Sequence, residues 1–226
     1  MGKNNKRLVI VGDGEFADIA YEYFTYDSPY EIAGFAVERE YLKRNSVHGL
    51  PVVAFEDIQD HFPQEKYILY VAITYTGLNG VRKRLYLEAK EQGYSFANYI
   101  SSRAFVWRTA EIGENVFIFE NNVIQHGCSI GNNVVLWSGN HIGHQTVVQD
   151  HVYISSHVVI SGYCNIGQRT FIGVNAAFAD GVDVGADSFI GMGCGVVKNL
   201  DGGFVYTGMP AVASRTPAKR YMRAKD

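Results

Sequence analysis

Two histidines, His126 and His144, stand eighteen residues apart in a stretch dense in Ile, Val and Gly. An imidazole can take up a proton near neutral pH. It therefore suits a step in which an amine or hydroxyl loses its proton while attacking a carbonyl. A second group of interest lies near the start of the chain. There Gly12-Asp13-Gly14-Glu15-Phe16-Ala17 joins the apolar run LVIV to a helix-like segment. Glycines in that setting let backbone N–H groups approach a phosphate at a helix N-terminus. Glu38 closes the next apolar run, where a carboxylate can hold a ribose hydroxyl. Too little chain follows before the pattern changes to build both halves of a dinucleotide fold, so a single nucleotide fits better than NAD. The cysteines Cys128, Cys164 and Cys194 have no CxxC spacing and read as small core residues, not as catalytic thiols or a disulfide.

The elements that must position these groups fall into two halves. From Lys6 to about Asn98, apolar runs at Arg7–Val11, Ile32–Val37 and Tyr67–Ile73 read as strands. Glu15–Tyr26 reads as a helix with Phe16, Ile19, Ala20 and Tyr23 on one side, and Val81–Gly93 as a helix stopped by Gly93. Strands alternating with helices predict a parallel sheet with crossovers. The second half has a period of six. Every sixth residue from Ile100 to Val196 is apolar, and all but Leu136 and Phe178 are Ile or Val. Small or β-branched residues stand two places earlier, with Asn122 and Asn140 as polar exceptions. Gly113, Gly131, Gly143, Gly167, Gly173, Gly185 and Gly191 follow the apolar position, and corners at positive φ are expected there. A period of six that does not drift marks a parallel β-helix.

Composition narrows the partners. A net charge of −3 gives no general attraction to nucleic acid. No stretch of eighteen apolar residues is present to span a membrane, and LVIV is too short for a signal sequence, so a cytoplasmic protein is expected.

The hexad pattern over residues 100–200 resembles the hexapeptide-repeat acyltransferases. The segments VIVGDGEFA, GFAVERE, HGLPVV and VAITYTGLNGVRKRL resemble the subfamily that acetylates nucleotide-linked amino sugars or sialic acids. The resemblance implies an α/β N-terminal domain with a short Rossmann-like parallel sheet (residues 1–99), followed by a left-handed parallel β-helix with a short tail (residues 100–226). It also implies three hexads per coil, so that residues eighteen apart stack, and a homotrimer with sites between subunits. VYTGMPA, residues 205–211, is similar to the family's usual end of the coil. The implied activity is acetyl-CoA-dependent N-acetylation of a nucleotide-linked amino sugar for bacterial surface glycans.

By the same resemblance His144 is the base and the Gly162 N–H the oxyanion donor. Gly14, Glu15, Phe16, Val37, Glu38 and Thr74 line the nucleotide-sugar pocket. Tyr153, Val174 and Met192 line the acetyl-CoA groove, with Ser156 in the same column as Val174 and Met192. That column ends near Met209–Pro210, with Lys198 or Arg215 near the phosphates. Gln145 stands where many relatives have Glu or Asp after the histidine; Asp150 or Glu120 could assist instead. His141, His151 and His157 are expected to face outward. No His triple has the spacing of the γ-class carbonic anhydrases, which share this coil, so no metal is expected. O-acetylation of a sugar or sialic acid and a non-catalytic trimeric binding scaffold remain the alternatives.

Overall fold

The structure is a computed structural model that describes residues 7–208. Met209, Pro210, Ala211 and Arg215 lie outside the described residues. In the first half, β1 (Arg7–Val11), α1 (Glu15–Tyr26), β2 (Ile32–Val37), β3 (Ser46–Val47), β4 (Leu50–Ala54), α2 (Ile58–His61), β5 (Tyr67–Val71) and α3 (Gly80–Glu91) follow in order. The sheet runs β3-β4-β2-β1-β5, parallel except for the β3–β4 hairpin. That hairpin has no apolar alternation to announce it. It turns on His48 and Gly49, both at positive φ. β5 stops at Val71 because the Ile73 and Thr74 carbonyls turn toward the Arg82 guanidinium, at 3.5 and 3.4 Å.

The second half is a three-faced coil. One face, called here the domain face, stacks seven two-residue strands from Tyr99–Ile100 through Tyr153–Ile154 to Val205–Tyr206. A second face runs from Phe105–Val106 through His141–Ile142 to Gly195–Val196, and a third from Glu111–Ile112 to Asp183–Val184. Register is eighteen residues, as in Val123↔His141 and Val135↔Tyr153, until the last coil, where Phe189 pairs with Val205. The apolar column from Ile118 to Val196 fills the interior, together with Cys128, Cys164 and Cys194; Val106 and Ile112 are partly buried, and Ile100, at the first coil, is exposed. Each buried Ile or Val there contributes about 1.5–3 kcal/mol over its exposed state. Asn122 and Asn140 are tolerated inside because their amides donate to backbone carbonyls, including Trp137 O.

The corner glycines correct one expectation. Positive φ does recur every sixth residue, but at Asn115, Asn121, Gly127 and onward to Gly193, not at the glycines after the apolar column. Those glycines answer a different need. A Cβ on Gly143 would sit 2.5 Å from the Ser161 carbonyl carbon, and one on Gly173 2.6 Å from the Met192 nitrogen. The next coil's backbone passes too close for any side chain.

The two halves share a core. Phe16 and Phe24 of α1 and Tyr70 of β5 pack on Phe117, with Tyr99 and Phe119 beside them. A polar seam runs alongside. The Val71 N–H donates to Asn115 Oδ1 at 2.8 Å, Asn115 Nδ2 to Asn133 Oδ1 at 2.7 Å, and Asn133 Nδ2 to His151 Nδ1 at 2.9 Å. His151, expected to face outward, is 5% exposed because α3 covers it with the Tyr86 ring. Arg82 is fully buried and donates to the His151 and Val152 carbonyls at 3.1 and 3.2 Å. Burial pushes its pKa down only to about 10, so it stays charged at neutral pH. Asn79 Nδ2 adds a bond to the Arg169 carbonyl at 3.0 Å.

Candidate active site

A cleft of about 1000 Å³ opens where the loop after β5 meets the coil. Tyr75 walls it on one side; Trp137, Tyr153, Phe171 and Phe189 of the domain face form its floor. The rings stack at the coil spacing: Tyr153 on Phe171 at 5.7 Å and Phe171 on Phe189 at 4.7 Å. Ser156, Val174 and Met192 form the far edge, at the corner between the domain face and the second face. Tyr153 is nearly buried, accepts a hydrogen bond from Trp137 Nε1, and lies under Arg82. Burial pushes its hydroxyl up to about 12, so it is neutral at any working pH. Trp137, Phe171, Phe189 and Tyr75 were not singled out in the sequence. The available signal was an aromatic residue one place before the apolar column at Tyr99, Phe117, Tyr153, Phe171 and Phe189, all separated by multiples of eighteen. Lys198 borders a smaller recess that shares Gly193, Thr207 and Gly208 with the cleft.

His144 is exposed, at the corner between the second and third faces. It stacks between His126 and Gly162, as the eighteen-residue spacing requires. Its ring lies directly over Gly162: a Cβ there would meet His144 Cε1 at 2.5 Å and Nε2 at 2.8 Å. Glycine is what makes room for the imidazole. The Gly162 N–H donates to Asp180 Oδ1 at 2.8 Å, so it is engaged in this structure. The same device recurs where Asn132 N donates to Asp150 Oδ1 at 2.7 Å, so Asp150 caps a different corner and does not serve His144. Glu120 accepts from Tyr23 and Ser138 in the column below Ser156, also away from His144. Gln145 turns to His126 Nε2 at 3.4 Å, whose Nδ1 is bonded to Thr109 at 2.8 Å. His126 is thus tied down, whereas no hydrogen bond among the described residues reaches the His144 ring. His141 and His157 lie on other corners and faces.

In the first half, Gly12, Asp13, Gly14, Val37, Glu38 and Tyr41 line a small recess of about 120 Å³. Gly12 is required by its φ of 121° and by the Ala72 carbonyl, 2.8 Å from where a Cβ would stand. Gly14 meets neither condition: its φ is −85° and nothing lies within 4 Å. It leaves open space over the α1 N-terminus, where an anion can approach backbone N–H groups. Arg44 pairs with Asp13 and Arg84 with Glu38 at 3.0 and 2.8 Å, placing two cations at the rim. Glu15 is exposed beside it. Phe16 corrects its assignment, since its ring is buried in the interdomain core and does not face the recess. Thr74 lies outside the recess and hydrogen-bonds Thr76 at 3.4 Å.

The family of bacterial transferase hexapeptide repeats (six repeats) matches residues 109–144. No curated protein matches the chain. Among solved structures, a His-to-Asn variant of perosamine N-acetyltransferase from Caulobacter crescentus, in complex with CoA and GDP-perosamine, is 26% identical. That match covers 91% of this chain and 95% of the other, with a TM-score of 0.81. The acetyltransferase domain of PglB from Neisseria gonorrhoeae, with acetyl coenzyme A, is 22% identical over 91% of this chain and 97% of that one, with a TM-score of 0.80. WeeI from Acinetobacter baumannii is 19% identical over 90% and 97%, with a TM-score of 0.63. By repeat and fold the chain is similar to the hexapeptide-repeat acyltransferases, and its coil is a left-handed β-helix. More narrowly, it has the architecture of the nucleotide-sugar N-acetyltransferases, a short α/β domain set ahead of the coil. Among the described residues no group of His, Cys, Asp and Glu could hold a metal ion, and no helix is long and apolar enough to cross a membrane.

Proposed function

We propose that this protein transfers the acetyl group of acetyl-CoA to the amino group of a nucleotide-linked amino sugar, as a homotrimer. The observation that carries this is the 26% match to perosamine N-acetyltransferase, which spans both domains and nearly the whole of both chains. A coil alone would speak for acyl transfer; the added α/β domain with its open α1 N-terminus speaks for a nucleotide diphosphate acceptor.

In this mechanism the pantetheine arm lies along Ser156, Val174 and Met192 over the aromatic floor. The nucleotide sits against Gly14 and Glu38, with Arg44 and Arg84 turning from their carboxylates to the phosphates. His144 takes a proton from the acceptor amine as its nitrogen bonds to the thioester carbonyl carbon. The tetrahedral intermediate collapses, the C–S bond breaks, and the imidazolium returns the proton to the leaving thiolate. The Gly162 N–H stabilises the oxyanion once Asp180, an exposed side chain, gives it up, at a cost of about one hydrogen bond, near 1 kcal/mol.

His144 and the cleft edge lie at different corners of the coil. Ser156 and Gly162 are six residues apart, at most about 20 Å along an extended chain. A second copy, its cleft edge apposed to His144, closes a site that one copy leaves open. The deciding experiment is mass spectrometry of products from acetyl-CoA and a panel of GDP-, UDP- and dTDP-amino sugars, for the wild type and His144→Ala. An amide product with the wild type, and a rate about 10² to 10⁴ lower with His144→Ala at similar KM, is expected. Near-normal turnover in His144→Ala removes it as the base.

A further inference from the structure

The coil's left-handed corner positions are filled by Asn, Gly, Gln, His, Arg and Asp, and in one place by Tyr163, at φ 58°. A tyrosine is poorly suited to that conformation: bulky residues at positive φ are strained, and Tyr has no short polar side chain to bond its own backbone there. Packing does not account for it, since Tyr163 is 65% exposed. Among the described residues its one ring partner is His144, at 5.0 Å between centroids and 83° between planes. The imidazole has Gly162 beneath it and no hydrogen bond, because Gln145 points to His126.

We propose that Tyr163 is a positioning residue, whose ring holds the His144 imidazole in the orientation that receives the acceptor's proton. It rests on His144 being the base. A catalytic histidine is ordinarily oriented by a hydrogen bond to its second nitrogen. Here perpendicular ring packing, a favoured geometry for aromatic pairs, takes that place. The hydroxyl is not the working group, as it makes no bond to the imidazole among the described residues. Backbone strain retained at an exposed corner beside the base is the mark of a residue kept for function, not for stability.

The test compares Tyr163→Asn, Tyr163→Phe and His144→Ala in the full chain. Asn suits the left-handed corner, so Tyr163→Asn is expected to raise Tm by about 2–4 °C. The same change lowers kcat about tenfold with the acetyl-CoA KM unchanged. Tyr163→Phe, which keeps the ring, rescues most of that kcat at wild-type Tm. Without substrates, the His144 imidazole proton signals, assigned by their loss in His144→Ala, shift in Tyr163→Asn and hold in Tyr163→Phe. The proposal is overturned if Tyr163→Asn keeps its kcat, if Tyr163→Phe falls as far as Tyr163→Asn, or if the imidazole signals do not shift in Tyr163→Asn. Near-normal turnover in His144→Ala defeats the base assignment itself, and the imidazole signals still report whether the ring contact exists.

Discussion

His151 ties the stability of the domain seam to pH. Burial pushes its pKa down to about 4, and the Arg82 charge works in the same direction against the opposing pull of Asp150. Its Nδ1 accepts from Asn133, so protonation breaks that bond as well as placing a cation beside buried Arg82. The unfolded chain titrates at about 6.5. The folded form resists the proton, so the stabilisation is complete above pH 6.5 and is lost as pH falls from there toward 4. At about 1.4 kcal/mol per pH unit, with a discount for partial solvation, the loss by pH 5 is about 1–2 kcal/mol. His151→Asn removes the titration while suiting the corner's φ of 64° and extending the Asn115–Asn133 ladder. Urea unfolding of both proteins at about pH 7.5 and pH 5 is the assay. The wild type should lose about 1–2 kcal/mol more than the variant on acidification, a midpoint shift of about 0.5–1 M. Equal losses in the two would refute the assignment of a buried neutral imidazole.

Val174→Trp fills the cleft edge and should raise the KM for acetyl-CoA several-fold while leaving nucleotide-sugar binding intact; titration calorimetry with each ligand separates the two. Gly143→Ala sets a methyl 2.5 Å from the Ser161 carbonyl carbon, well inside van der Waals contact, and should lower Tm by about 4–8 °C or more, whereas Gly14→Ala, facing open space, should leave Tm unchanged. His126→Ala should cost far less activity than His144→Ala, because His126 is held by Thr109 and Gln145 as a corner support. Sedimentation at micromolar concentration should give a trimer, and a monomer that retains full activity would contradict a site completed by a second copy.

Strict hexad spacing made the coil legible, because a β-helix repeats one local environment: each Ile or Val sees the same neighbours eighteen residues away, so local pattern and tertiary contact coincide. The same arithmetic placed His126, His144 and Gly162 in one column, and Ser156, Val174 and Met192 in another. Helix α1 and strands β1 and β2 were readable for an equally local reason, one apolar face or one fully buried run each. What the sequence could not decide depends on contacts between non-repeating surfaces. His151 and His157 share the same corner conformation, yet α3 buries the first and leaves the second in solvent. Phe16 stands within the phosphate-loop motif, but the aromatic face of the coil draws its ring away from the recess. The Gly162 amide looks free until Asp180, one coil further on, is seen to hold it. The corner glycines were recognised, but their cause was not, since close approach of the next coil is a property of two backbones and φ is a property of one. Periodicity therefore determined the scaffold and the columns. Packing of the α/β domain against one face of three, a contact with no sequence period, decided which residues of those columns are buried, bonded or open to a substrate.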